Sequence, residues 1–274
     1  MRIVVISASS GIGSALCRHW RGQGHEVFGT YRTASDTVSE LEAAGAAFFP
    51  LDIADAGSVD EAAGQIGKAA ASWDVLVLAP GTTEPVGPFL DTDPDEWARS
   101  LDVNFVNQWR LVHRLLPTRS GDAELGPCVL FFAGGGTNNA VVNYSAYTIS
   151  KVACIKMCEL LDAEVSDTRF SIVGPGWVKT RIHEETLQAG AQAAGHNYEM
   201  VKSKLKSGDF VPMEKVIDSC DWVISQPREV VGGRNFSTAH DAFGSAELAE
   251  ALRNESNMYK LRRHGNAWRP LKND

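Results

Sequence analysis

The chain has 274 residues, 44% of them apolar and 22% charged, and a formal net charge of −8. That is ample for one large α/β domain with a packed core. The negative balance excludes a broad phosphate-binding face, so no nucleic-acid partner is expected. No apolar run approaches the length of a membrane span, so no membrane partner is expected either. The first apolar run, residues 3–6, is too short for a signal peptide and reads as a core strand. The five cysteines (Cys17, Cys128, Cys154, Cys158, Cys220) are odd in number and have no metal-ligand spacing. They are expected to be reduced structural thiols in a cytoplasmic protein that holds no metal.

In chain order, short apolar runs at 3–6, 27–31, 47–51, 75–78, 129–132, 170–173 and 235–238 read as strands. Helical patterns separate them, beginning with 13–21, where Ala15, Leu16, Cys17 and Trp20 are available to pack. Such alternation builds βαβ units and a doubly wound, mostly parallel Rossmann sheet with helices on both faces. A single domain is expected over 1–243. Residues 181–212 exceed the bare fold and are expected to form a mobile lid; residues 244–274 form a C-terminal extension. Within that extension Ser245 reads as a helix N-cap, with Leu248, Ala249 and Leu252 as a docking stripe. The tail beyond, through Met258, Tyr259, Leu261 and Trp268, is expected to be ordered and to pack over the substrate side of its own subunit or of a neighbour.

The first strand runs into Ser7-Ala8-Ser9-Ser10-Gly11-Ile12-Gly13 at the point where the helix begins. A tight strand-to-helix turn aims backbone N–H groups and the positive helix end at a pyrophosphate. Glycine serves where backbone must approach phosphate or a neighbouring strand. The second strand ends at Tyr31-Arg32, with no carboxylate at 31 to meet a ribose 2′-OH. Arg32 suits a 2′-phosphate instead. Further on, Tyr147-Thr148-Ile149-Ser150-Lys151 sets a phenol and an ammonium on successive turns of one helix face.

Together these segments resemble the short-chain dehydrogenase/reductase family over roughly residues 2–243. The resemblance implies a nicotinamide dinucleotide held by Ser7, Ser9, Ser10, Gly11, Ile12 and Gly13, with Ser7 standing where the family has its first Gly. NADP(H) is favoured by Tyr31 and Arg32, with NAD(H) as the alternative. Leu51-Asp52-Ile53 matches the adenine-contacting segment, through the Asp52 side chain and the Ile53 backbone. Leu78-Ala79-Pro80-Gly81 stands for the family's Asn-Asn-Ala-Gly, keeping only Gly81 for close approach. Pro175-Gly176-Trp177-Val178-Lys179-Thr180 is similar to the segment that curls over the nicotinamide. By the same resemblance Tyr147 is the acid/base, Lys151 lowers its pKa and Asn104 holds the water behind the lysine.

The family's serine, which bonds the reacting oxygen, has no counterpart. Its slot falls on Ala133 or Gly134, in Phe132-Ala133-Gly134-Gly135-Gly136-Thr137. Thr137, Asn138, Ser145 or the substrate itself would have to substitute; N–H groups of the glycine run are a further option. Arg181, His183, His196 and Lys202 of the lid either meet a polar or anionic substrate or are solvated. The expected activity is a carbonyl reductase or alcohol dehydrogenase acting on a small molecule, in a homodimer or homotetramer. The rival readings are a degenerate dinucleotide-binding protein, or an epimerase or dehydratase that reuses bound cofactor.

Overall fold

The computed structural model describes residues 1–9, 11–136 and 138–264. Seven strands form one all-parallel sheet in the order β3-β2-β1-β4-β5-β6-β7. They are β1 (Arg2–Ile6), β2 (Glu26–Tyr31), β3 (Ala47–Pro50), β4 (Val75–Leu78), β5 (Cys128–Phe132), β6 (Arg169–Gly174) and β7 (Asn235–Ser237). The strand order reverses between β1 and β4, which opens a crevice outside their carboxyl ends. The central strands read as unbroken apolar runs because both of their faces are covered. In β1, Ile3 and Val5 enter one core while Val4 and Ile6 enter the other, the period-2 signature of a strand between two layers.

The helices are α1 (Gly11–Gly22), α2 (Asp36–Ala43), α3 (Ala56–Ala69), α4 (Pro94–Leu101), α5 (Asn107–Leu115) and α6 (Ser145–Glu164). Then follow α7 (Ile182–Ala194), α8 (His196–Ser207), α9 (Met213–Ser225), α10 (Arg228–Val231) and α11 (Ala246–Asn254). Side chains that favour the N-cap start several of them: Ser35, Asp55, Asp93 and Ser245 each accept from a first-turn N–H. Between α4 and α5 the chain stays helical but widens to a π-turn over Asp102–Val106. Among the described residues no helix is long and apolar enough to cross a membrane.

Residues 181–212, the expected lid, contain α7 and α8. They are fastened to the body by Tyr144, whose hydroxyl meets Thr186 Oγ1 at 2.9 Å, and by Asn143 Nδ2, which donates to Ala193 O at 2.8 Å. Within this chain the described part of the tail, up to residue 264, packs away from the cleft rather than over its own substrate side. Leu248, Ala249 and Leu252 are buried as a stripe on α11, and Tyr259 O accepts from Asn235 N on the edge strand β7. Arg262 pairs with Glu159 near the far end of α6, at 2.6 Å. Glu159 lies twelve residues, about 18 Å of helix, beyond Tyr147. The physical reason is Arg234. Its buried guanidinium donates to the carbonyls of Leu252, Glu255 and Met258, and so draws the tail to the start of β7. Trp268 lies outside the described residues.

Candidate active site

The carboxyl ends of β1 to β4 open on a cleft of about 370 Å³, lined by residues from five of the expected segments. Ser7 and Ser9 line its floor. Ser7 adopts a left-handed backbone, φ +64°, the conformation a glycine would take without cost, and its N–H donates to Thr30 Oγ1 at 2.9 Å. A Cβ on Gly13 would sit 2.1 Å from the Ser7 carbonyl oxygen, so only glycine lets α1 start this close to β1. Gly11 faces the Thr180 methyl, which brings the sixth-strand loop against the first turn. Ile12 packs on the core and Ser10 lies outside the described residues.

Tyr31 and Arg32 line the cleft at the end of β2. Arg32 is exposed and has no ion-pair partner among the described residues. Asp52 and Ile53 line the neighbouring wall, where Asp52 Oδ1 accepts from Ala54 N at 3.0 Å. Two side chains of α5, not singled out from sequence, brace this wall. Asn107 Nδ2 donates to Ile53 O at 2.9 Å, and Gln108 Nε2 to Pro80 O at 3.2 Å. Pro175 and Gly176 leave β6, Gly176 with φ +74°. Val178 is buried, and its carbonyl meets His183 Nε2 at 2.9 Å. His183 also stacks on Trp177, so its ring braces the loop. His196 and Lys202 are exposed on α8, whereas Arg181 lines the cleft.

Tyr147 and Lys151 project from the first turns of α6. Lys151 Nζ donates to Phe132 O at 3.1 Å and lies 5.8 Å from the Tyr147 ring centre. Gly81 covers both Lys151 Nζ and Asn104 Oδ1; a Cβ there would stand 3.7 and 3.6 Å from them. Asn104 is fully buried in the π-turn. Its amide donates to Thr82 O at 2.9 Å and Ser100 Oγ at 3.2 Å, while its Oδ1 accepts from Thr82 N at 3.0 Å. π-turns are rare and recur at functional sites.

Of Ala133 and Gly134, only Gly134 faces Tyr147. A Cβ on Gly134 would lie 2.3 Å from Tyr147 Oη, so the phenol occupies the space such a side chain would take. Ala133 instead points into the core, which removes it from the substrate side. Ser145 Oγ accepts from Trp97 Nε1 at 2.9 Å, Asn138 is exposed, and Thr137 lies outside the described residues.

The expected lowering of the Tyr147 pKa by Lys151 is not found. Burial pushes Tyr147 up to about 12, and the negative charge of Glu185 adds to the rise. Burial also lowers Lys151. Both shifts favour the neutral form, since each group is taken from water without a counter-ion. Glu185, on α7, carries no sequence motif; only the packing of α7 over the strand ends brings it to the cleft.

Comparison with known proteins agrees with this geometry. A family model described as enoyl-(acyl carrier protein) reductase matches residues 6–238. The chain belongs to the short-chain dehydrogenase/reductase family, whose members are NAD(P)-dependent oxidoreductases. It is 28% identical over 200 residues to a short-chain dehydrogenase of Aspergillus terreus, covering 70% of this chain but only 40% of that protein. It is 27% identical over 252 residues to a ketoacyl reductase of a monensin polyketide synthase from Streptomyces virginiae, covering 84% of this chain and 95% of the relative. Its fold is similar to that of an actinorhodin polyketide ketoreductase variant solved with NADPH. The TM-score is 0.72 at 20% identity, covering 86% of this chain and 94% of the other.

Proposed function

We propose that the chain is an NADPH-dependent reductase of small carbonyl compounds, with Tyr147 as proton donor. The observation that carries this is a buried phenol held neutral near a buried lysine whose Nζ lies beneath Gly81, a residue that lines a cleft suited to a dinucleotide. The cleft suits that group. Gly13 and Gly81 leave open the volume a Cβ would fill, the first turn bares backbone N–H groups at a helix start, and Arg32 supplies an unpaired cation. When bound, the reduced nicotinamide supplies hydride to a carbonyl carbon. Ser7, Ser9, Gly11 and Gly13 hold the pyrophosphate, Asp52 and Ile53 the adenine, and Val178 and Thr180 the carboxamide end. Tyr147 Oη gives its proton to the carbonyl oxygen. Lys151 stands behind it, and Asn104 fixes the Thr82 backbone that closes the site.

Arg32 sets the preference for NADPH over NADH, through the 2′-phosphate on the adenosine ribose. Arg32→Ala is expected to weaken NADPH binding by about 1.5–3 kcal/mol, the range for hydrogen bonds to charged groups. NADH binding should hardly change, as fluorescence titration of both cofactors measures. Equal loss for both removes the 2′-phosphate contact.

Gly134 favours a second reading, a dinucleotide-binding protein with weak catalysis, because it offers no hydroxyl to the reacting oxygen. Gly134→Ser separates the two. The new Cβ displaces the phenol by roughly 1 Å, and misplacement on that scale costs about 10²-fold in rate. Steady-state kinetics should show lower turnover with NADPH affinity retained. A faster enzyme would show that the phenol retracts freely and that the slot is merely vacant.

Assembly belongs to the same proposal. Ile149 and Leu160 lie three turns apart on α6 and are 47% and 45% exposed; Val106 on the π-turn is 45% exposed. These helices are proposed to pair with a second copy of the chain in a homodimer or homotetramer. Sedimentation at micromolar concentration should show no more than a trace of monomer.

A further inference from the structure

Glu185 is fixed more firmly than any other carboxylate in the cleft. It lies in the first turn of α7. Its Oε2 accepts three hydrogen bonds, from Thr83 N at 2.6 Å, Thr83 Oγ1 at 2.7 Å and Thr82 Oγ1 at 3.2 Å. Both threonines directly follow Gly81, the residue that covers Lys151 and Asn104. Among the described residues no donor reaches Oε1. Arg181 lines the same cleft, yet no ion pair within 4 Å joins it to Glu185. One oxygen is thus saturated while the other keeps its lone pairs for a ligand. A rigid acceptor of this kind forms a new bond with little further loss of side-chain entropy. It lines the cleft itself, on Thr82 and Thr83, and the Thr82 N–H is in turn held by Asn104 Oδ1.

We propose that Glu185 selects the substrate: Oε1 accepts a hydrogen bond from a hydroxyl or ammonium group carried beside the carbonyl, and carbonyl compounds with a carboxylate there are rejected. This rests on the carbonyl-reductase reading above. An apolar ketone leaves the acceptor unpaired, and an anion meets it with like charge; both lose affinity.

The test uses three ketones that differ at one position, hydroxyacetone, butanone and pyruvate, with NADPH. Wild type should prefer hydroxyacetone by about tenfold or more in kcat/KM over butanone, with pyruvate poorest and the difference mainly in KM; tenfold is the scale of one such hydrogen bond. Glu185→Gln keeps an oxygen for the threonines and removes the charge. It should cut the hydroxyacetone-to-pyruvate ratio at least tenfold while the NADPH Kd stays within about twofold. Glu185→Ala should cut the hydroxyacetone-to-butanone ratio. Unchanged ratios, or a loss confined to NADPH affinity, overturn the proposal; the latter assigns Glu185 to the cofactor. If wild type reduces none of the three, the reductase reading fails by itself. The Tm shift of the NADPH-saturated protein with each compound then decides. Stabilisation by hydroxyacetone that wild type shows and Glu185→Ala loses supports the selection, and equal shifts in all proteins overturn it.

Discussion

Tyr147→Phe is expected to lower carbonyl reduction about 10²–10⁴-fold, the usual contribution of a positioned proton donor, while NADPH still binds. The ring stays and only Oη leaves, so packing against Gly134 is relieved rather than disturbed. Stopped-flow with NADPH and a reducible ketone measures the rate, and fluorescence titration the binding. The pH dependence follows from the same group. With its pKa pushed up to about 12, Tyr147 remains protonated through neutral and mildly alkaline pH. The sign is that of an acid which must be protonated to work, so reduction should hold on the alkaline side and fall only as the phenol ionises. Alcohol oxidation needs the phenolate and should be the weaker direction at neutral pH. A rate of reduction that falls between pH 6 and 8, or a Tyr147→Phe enzyme as fast as wild type, would remove Tyr147 from the chemistry.

Gly13→Ala should have the largest effect on the fold itself. The added methyl meets the Ser7 carbonyl oxygen at 2.1 Å and the Ser7 carbonyl carbon at 2.9 Å, both of them backbone. Neither can rotate aside, so the start of α1 must back away from β1. Overpacking of this sort costs about 1–3 kcal/mol, which is a fall in Tm of roughly 3–10 °C for a chain of this size. The turn that bares N–H groups to phosphate is lost with it, and NADPH affinity should drop more than tenfold. Gly64→Ala is the control. Gly64 lies within α3 with nothing within 4 Å of its Cβ position. It should raise stability by about 0.5–1 kcal/mol on helix propensity alone. Thermal melts of the two variants, with and without NADPH, distinguish a close backbone approach from a general intolerance of substitution.

The strands were the most legible part of this sequence. Val75-Leu76-Val77-Leu78 and Cys128-Val129-Leu130-Phe131-Phe132 are apolar without a break because parallel strands bury both faces, and turn residues bound them. The first turn was legible for the same reason, since a strand, a Ser/Gly run and a helix follow one another directly. Three things were not legible. Ala133 and Gly134 could not be told apart, because adjacent residues leaving a strand face opposite ways and only the structure shows which one meets Tyr147. The π-turn around Asn104 has no sequence signature; a helix pattern runs through it unchanged. Glu185 belongs to no motif and was not singled out in the sequence. Its place depends on α7 folding back onto Thr82 and Thr83, a contact across about a hundred positions of sequence.

The tail has a consequence for shortened chains. Strand β7 pairs only with β6 within the sheet, and its outer edge is met by a carbonyl from Tyr259. Arg234, just before that strand, keeps a buried cation whose acceptors lie at 252, 255 and 258. A chain cut short between 244 and 251 keeps every residue that lines the cleft but lacks all three carbonyls that accept from Arg234. It would combine a ligand site with an uncovered sheet edge and a buried cation without acceptors. Open edges template pairing between chains. Its expected fate is aggregation or proteolysis rather than service as a smaller enzyme.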